Sequence, residues 1–198
     1  MAGRNHPKKG SQIRVDPIRD LKDIKLIKRL LSDRPRDLAI FTLGINTNLR
    51  ASDILRIRVG QVRGLLPEEH FTIREMKTKK EKSITINRTV HDAIGKLLAT
   101  MTDAADEEPL FQSRKGDRCA IKVPYLSTLV KGWCREINLV GNFGSHTLRK
   151  TFGHMHRVIN KTDLPTLMEM FNHSTQKQTL TYLGIQDEEI KSAYLFEL

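Results

Sequence analysis

Cysteine is nearly absent from this chain: Cys119 and Cys134 are the only two in 198 residues. Two thiols make no disulfide framework, and such sparing use suits a reducing compartment. Long apolar runs are missing too. No stretch approaches the roughly 18 apolar residues that a membrane span needs. The opening Met1-Ala2-Gly3-Arg4-Asn5-His6-Pro7-Lys8-Lys9-Gly10 lacks the apolar segment of a secretory signal. These absences lead to the expectation of a cytoplasmic protein. Aromatic residues make up only 6%, with one tryptophan and three tyrosines, so any role for a phenol falls on Tyr125, Tyr182 or Tyr194. Acid is in deficit, with 23 Asp and Glu against 34 Lys and Arg, a net charge of +11. That balance favours polyanionic partners, nucleic acid first and acidic membranes second. Internal repeats and low-complexity tracts are also lacking.

What remains is enough for one good core with at most a small appended piece. Residues 1–15 read as a basic arm. Asp16-Pro17 has the form of a helix start. Ile18, Leu21, Ile24, Ile27 and Leu31 follow at helical spacing, with Lys22, Lys25 and Lys28 on the wet side. Pro35 opens a second helix carrying Leu38, Phe41 and Ile45, and Asn46-Thr47-Asn48 ends it, since Asn tolerates the left-handed conformation. Ser52 is expected to cap a short helix through Ile57. Phe71-Thr72-Ile73 and Ser83-Ile84-Thr85-Ile86 alternate as strands around the run Lys77-Thr78-Lys79-Lys80-Glu81-Lys82, a hairpin with a basic tip. Helical patterns return over 88–101, 124–138, 163–171, 175–183 and 187–196. Ser145 is the expected cap of the helix that begins at His146. The expected fold class is mainly α with a small antiparallel β-sheet (α+β).

Several residues carry chemistry. His146 and Arg149, one turn apart at a helix start, make a phosphate seat, because free N–H groups and the helix dipole favour an anion there. Arg50 lies upstream in Leu49-Arg50-Ala51-Ser52-Asp53, and Tyr182 follows His173 by nine residues. Two guanidiniums can hold a phosphate, imidazoles can hydrogen-bond it and handle protons, and a phenol oxygen can attack it. His154 and His156 invite a zinc reading with His146. Their spacing on one helix does not bring all three to one side, and no cysteine pair joins them.

Taken together, Leu49-Arg50-Ala51-Ser52-Asp53-Ile54-Leu55, His146-Thr147-Leu148-Arg149-Lys150-Thr151-Phe152, and His173-Ser174 followed by Tyr182 resemble the catalytic domain of the tyrosine recombinases, the phage integrase family. The likeness runs over about 24–196, in order and with family-like spacing. It implies that Arg50 and Arg149 clamp the scissile phosphate and that His146 and His173 donate hydrogen bonds and assist proton transfer. It implies a lysine in the hairpin turn as general acid, Lys77 first and Lys79 next, and Tyr182 as nucleophile forming a 3′-phosphotyrosyl link. Asp53 would orient Arg50 or its helix. Lys79, Lys80, Lys82 and Lys150 would contact DNA. Tyr125 is expected to pack, and Tyr194 is too far from His173. Thr151 and Phe152 are expected to pack as well. The implied partners are double-stranded DNA and sister copies in a tetrameric synapse, with no cofactor and no metal.

The implied layout is a basic arm with the start of the first helix over 1–23, then a catalytic domain over 24–198 with a tail over 184–198. In the family such a tail docks on a neighbour, and Ile190, Ala193, Tyr194, Leu195 and Phe196 offer an apolar face. Two departures stand out. Asn48 replaces the glycine usual two residues before the first arginine. Only about 23 residues precede Ile24, where full-length integrases carry a further DNA-binding domain, so the chain resembles single-domain members or an isolated catalytic domain and should grip DNA weakly, with strong salt dependence. Two rival readings keep the same pocket: a catalytically silent DNA-binding regulator, and a DNA-relaxing enzyme like the type IB topoisomerases.

Overall fold

A computed structural model describes residues 15–114, 118–183, 191, 194, 195 and 197. Helices α1 (Leu21–Leu30), α2 (Pro35–Asn46), α3 (Ala51–Ile54) and α4 (Val59–Val62) lead into a hairpin of β1 (His70–Arg74) and β2 (Glu81–Thr85). Helices α5 (Arg88–Leu98), α6 (Val123–Glu136) and α7 (Ser145–His154) follow, then a π-helical turn (Met155–Ile159), α8 (Leu164–Phe171) and α9 (Gln176–Leu183). This is the expected mainly helical fold with one antiparallel sheet of two strands.

Helix α2 is the central post. Every residue from Asp37 to Gly44 is buried, so the helix is covered on all sides rather than along one stripe. Phe41 meets Trp133 of α6 edge-on, with ring centroids 5.9 Å apart. At Gly44 the backbone comes so near α7 that an added Cβ would lie 2.6 Å from Leu148 Cδ1. The hairpin register pairs Phe71 with Ile84 and Ile73 with Lys82. Alternation therefore sends Phe71, Ile73, Glu75, Lys82 and Ile84 to one face. A second, smaller core joins Phe152, Leu167, Phe171 and Leu183, with Met170 and Tyr182 against it.

The helix starts depart from the sequence reading in small, explicable ways. Helix α1 begins at Leu21, not Asp16, and its cap is Asp20, whose carboxylate accepts from Lys22 N at 2.7 Å. Asp16 is used elsewhere: its carboxylate accepts from Asn142 N at 2.9 Å, and its own N–H donates to Asn142 O at 2.7 Å. The segment is then pinned to α7 by Ile18 N donating to Thr151 Oγ1 at 2.8 Å. Leu21 is exposed as a result. Ser52 lies within α3, and Arg50 takes the cap position. Ser145 is the first residue of α7, with Gly144 before it. Tyr125 does not pack inside but stays exposed under the Arg36 guanidinium. Thr151 and Phe152 are buried, as expected. The expected helix over 187–196 and the docking tail fall largely outside the described residues, as does the basic arm.

The junction of α7, α8 and α9 is tight. A Cβ added at Gly153 would strike Leu183 Cδ2 and lie 2.8 Å from Phe171 Cζ. Gly153→Ala would gain about 0.5–1 kcal/mol from helix propensity, but overpacking of this kind costs about 1–3 kcal/mol. We expect net destabilisation in urea titrations.

Candidate active site

Arg50 stands just before α3, at the end of a turn that Asn48 makes possible with φ of 55°. Its Nη1 lies 2.7 Å from Glu75 Oε1. The pair is an ion pair rather than an aligned hydrogen bond, and both atoms are buried with no hydrogen-bonding partner among the described residues. Glu75 is 1% exposed, and Thr78 Oγ1 donates to its other oxygen at 2.6 Å. Burial alone would raise the Glu75 pKa, but the Thr78 hydroxyl and the Arg50 charge outweigh it and hold the carboxyl below its ordinary value. Beside it, Asp53 accepts from Met76 N at 2.9 Å. Asp53 thus holds the backbone next to Lys77 rather than the Arg50 side chain. The two carboxylates fasten the start of the hairpin turn to the start of α3.

Arg149 is buried on α7. Its guanidinium donates to Asn48 O at 2.9 Å and to Phe171 O at 3.1 Å. Its guanidinium carbon also lies 5.0 Å from the Phe171 ring centroid and 5.8 Å from that of Tyr182. His146 keeps an exposed edge one turn before Arg149. Crowding by the protein, then the charges of Arg149, Arg50, Lys150 and Lys77, hold its pKa below the ordinary histidine value.

Helix α8 stops at Asn172, which is left-handed with φ of 53°, and the chain doubles back to His173. His173 Nδ1 lies 3.0 Å from Thr179 Oγ1, a hydroxyl three residues before Tyr182 on α9. Partial burial, then the charges of Arg149, Arg50 and Lys77, lower the His173 pKa to about 4. The ring is neutral at pH 7. Its centroid is 5.7 Å from that of Tyr182. The Tyr182 hydroxyl is buried and makes no hydrogen bond among the described residues. Burial raises its pKa, against the pull of Arg149 and Arg50. At pH 7 the Tyr182 side chain is therefore a neutral phenol.

The depressed histidines have a consequence for stability. The unfolded chain binds protons on His173 below about pH 6.5, whereas the folded one resists until about 4. The stabilisation is present above the unfolded pKa and is lost as pH falls through the folded one. Melting temperature should therefore drop between pH 6.5 and 4, and His173→Gln should flatten that slope.

The fold thus brings Arg50, His146, Arg149, His173 and Tyr182 within electrostatic reach of one another, and the Lys77 charge is felt at both imidazoles. Asp53 accepts from Met76 N, next to Lys77. Lys150 Nζ lies 5.8 Å from the Tyr182 ring centroid. Lys79 and Lys80 sit exposed on the turn, Lys79 with φ of 60°. Lys82 is half-buried, and its amine donates to Met170 O. Sequence reasoning missed Glu75, whose signal was its place in the alternation Phe71, Ile73, Glu75. It also missed Thr179, one helical turn before Tyr182.

The sequence profile of the Phage integrase family matches residues 9–189. The "Probable integrase/recombinase YoeC" of Bacillus subtilis (strain 168) is 33% identical over 184 residues, covering 91% of this chain and 95% of that protein. The "Tyrosine recombinase XerC" of Caldanaerobacter subterraneus subsp. tengcongensis is 28% identical, covering 81% of this chain but only 44% of that protein. In fold, the chain is similar to the crystal structure of XerA recombinase, with a TM-score of 0.74 at 18% identity, covering 96% of this chain and 65% of that one. It is also similar to XerH bound to palindromic difH substrate, with a TM-score of 0.73 at 15% identity, covering 94% and 53%. A helical fold that gathers two arginines, two imidazoles and a buried phenol defines a tyrosine recombinase, an enzyme that breaks and rejoins DNA strands. The chain belongs to the phage integrase family.

Proposed function

We propose that this chain cuts and rejoins double-stranded DNA at specific sites, with Tyr182 as nucleophile. The observation that carries the reading is the Tyr182 hydroxyl, buried beside Arg149 and His173 with no aligned hydrogen bond among the described residues. A buried, unpaired polar atom is costly, and a scissile phosphate is the group that would put it to use. Arg50 and Arg149 hold the non-bridging oxygens, where guanidinium suits because it stays charged and can bind two oxygens at once. Glu75 positions Arg50, and Asp53 holds the hairpin turn.

In the step, the Tyr182 oxygen bonds to phosphorus and the bond from phosphorus to the 5′ oxygen breaks. The phenol proton passes to neutral His173. Lys77 gives a proton to the departing 5′ oxygen, a contribution typically worth about 10²–10⁴-fold. Negative charge gathers on the equatorial oxygens, where preset cations and donors supply the largest stabilisation. That set makes a metal unnecessary. Rejoining reverses the path with a 5′ hydroxyl from the same or another strand, so no ATP is consumed.

Lys79, Lys80 and Lys150 add contacts to flanking phosphates, and sister copies complete the grip in a tetrameric synapse. XerH is described as bound to palindromic difH substrate, and the net charge of +11 supports a DNA partner here. We place the reaction in the cytoplasm of a bacterium. Among the described residues no helix is long and apolar enough to cross a membrane.

The test is a DNA duplex nicked near the cut site, so that the cleaved strand diffuses away. Wild type should leave an adduct that survives SDS. Binding without an adduct on any cognate site would favour the silent regulator. Relaxation of random supercoiled plasmid without recombinant products would favour the topoisomerase-like enzyme.

A further inference from the structure

Lys77, Lys79 and Lys80 of the hairpin are exposed, whereas Lys82 is half-buried and its amine bonds another element. The strand register sets it opposite Ile73, on the face that also carries Ile84. From there Nζ donates to Met170 O at 2.8 Å. Asn48 Nδ2 donates to the same oxygen at 2.5 Å, and Arg149 donates to the next carbonyl, Phe171 O. These are the last two carbonyls of α8. The C-terminal carbonyls of a helix lack partners within it and carry the negative end of its dipole. Here the hairpin, the turn before α3, and α7 each send one side chain to that end. Immediately beyond it the chain turns left-handed at Asn172 and presents His173.

We propose that Lys82 is a positioning residue: by capping the C-terminus of α8 from the hairpin, it ties the turn that carries Lys77 to the segment that carries His173. The inference rests on the recombinase reading above and assigns Lys82 a part in the same site. Lys82 does not touch the substrate; it acts through the two groups that do. Removing it would free the hairpin and the α8 end to shift independently, and a displacement of about 1 Å in such a site can cost about 10²-fold.

The electrostatics agree with the geometry. Burial, then the Arg149 charge, bring the Lys82 pKa down to about 8, while Glu75 and Asp53 pull the other way. A phosphate bound to Arg149 and Arg50 would cancel the repulsion and restore the full charge of the cap. The clamp would tighten when DNA arrives.

The experiment measures single-turnover cleavage by Lys82→Met on two substrates, an ordinary phosphodiester and one with sulfur at the bridging 5′ position. A thiolate leaves without needing a proton. Lys77→Ala should recover on the sulfur substrate. Lys82→Met should lose about 10–10²-fold on both, with DNA affinity within about threefold of wild type, and Lys82→Arg should recover most of the loss. Recovery of Lys82→Met on sulfur would make it a proton donor and overturn the proposal; so would wild-type rates. If Lys82→Met does not fold, Lys82→Arg decides: rates near wild type on both substrates support the cap, and a defect cured by sulfur overturns it. Failure of wild type to cleave either substrate would count against the recombinase reading instead.

Discussion

Tyr182→Phe is expected to abolish the SDS-resistant adduct and to lower strand cleavage by about 10⁴-fold or more, the scale on which loss of a covalent nucleophile is felt. The change removes one oxygen atom. That oxygen is buried and makes no hydrogen bond among the described residues, so the fold loses no bond with it. A buried hydroxyl without a partner costs about 1–3 kcal/mol, and the variant should melt at the same temperature as wild type or somewhat higher. The Tyr182 ring stays, so its packing against Phe171, with centroids 5.1 Å apart, is kept. Activity and stability should therefore move apart, as they do for a group retained for chemistry. DNA binding should persist, because the cations that hold phosphate are untouched. Calorimetry and a binding titration alongside the cleavage assay check all three statements. An adduct of undiminished yield from Tyr182→Phe would remove the phenol from the reaction.

Arg149→Ala should do damage of both kinds. The guanidinium supplies hydrogen bonds to Asn48 O and Phe171 O from a buried position. Its loss leaves two carbonyls without that donor and opens a void beside the Phe171 ring. A buried acceptor left without its donor costs about 1–3 kcal/mol, so the pair together is a large part of the total stability of most domains. Removing a donor aimed at transition-state charge costs a further 10²–10³-fold, in round terms. Arg149→Lys separates the two effects. Lysine keeps the charge but cannot reach two carbonyls and a phosphate with one planar fork. We expect it to fold, with a lower melting temperature than wild type, and to cleave about 10²-fold or more slowly. Full cleavage by a folded Arg149→Lys would show that one point charge suffices there.

Much of this was legible in the chain because it depends on local rules. Period-two alternation placed both strands, and the asparagines at the end of α2 marked a left-handed turn that the structure contains at Asn48. Arg50, His146, Arg149, His173 and Tyr182 were legible as a set because four separated motifs came in a family-like order. The misreadings share a cause. Asp16-Pro17 has the form of a helix start, yet Asp16 spends its carboxylate on a loop 126 residues away. Lys82 looked like one more charge on a basic tip, yet its amine bonds a carbonyl 88 residues further on. Glu75 drew no reading at all, yet it lies buried against Arg50, 25 residues before it in the chain. In each case a local pattern was overruled by a contact distant in sequence, which no window of neighbouring residues reports. The inward phase of the hairpin was available all the same: Glu75 falls in step with Ile73, and Lys82 with Ile84.

The most direct test of the account is the chemical identity of the covalent link. Wild-type protein trapped on the nicked duplex is digested with protease and nuclease, and the nucleotide-bearing peptide is sequenced by mass spectrometry. The account predicts a single modified residue, Tyr182, esterified to a 3′ phosphate, with a free 5′ hydroxyl on the released strand. A link to Tyr125, Tyr194 or a serine, or a 5′-phosphate ester at Tyr182, would contradict it.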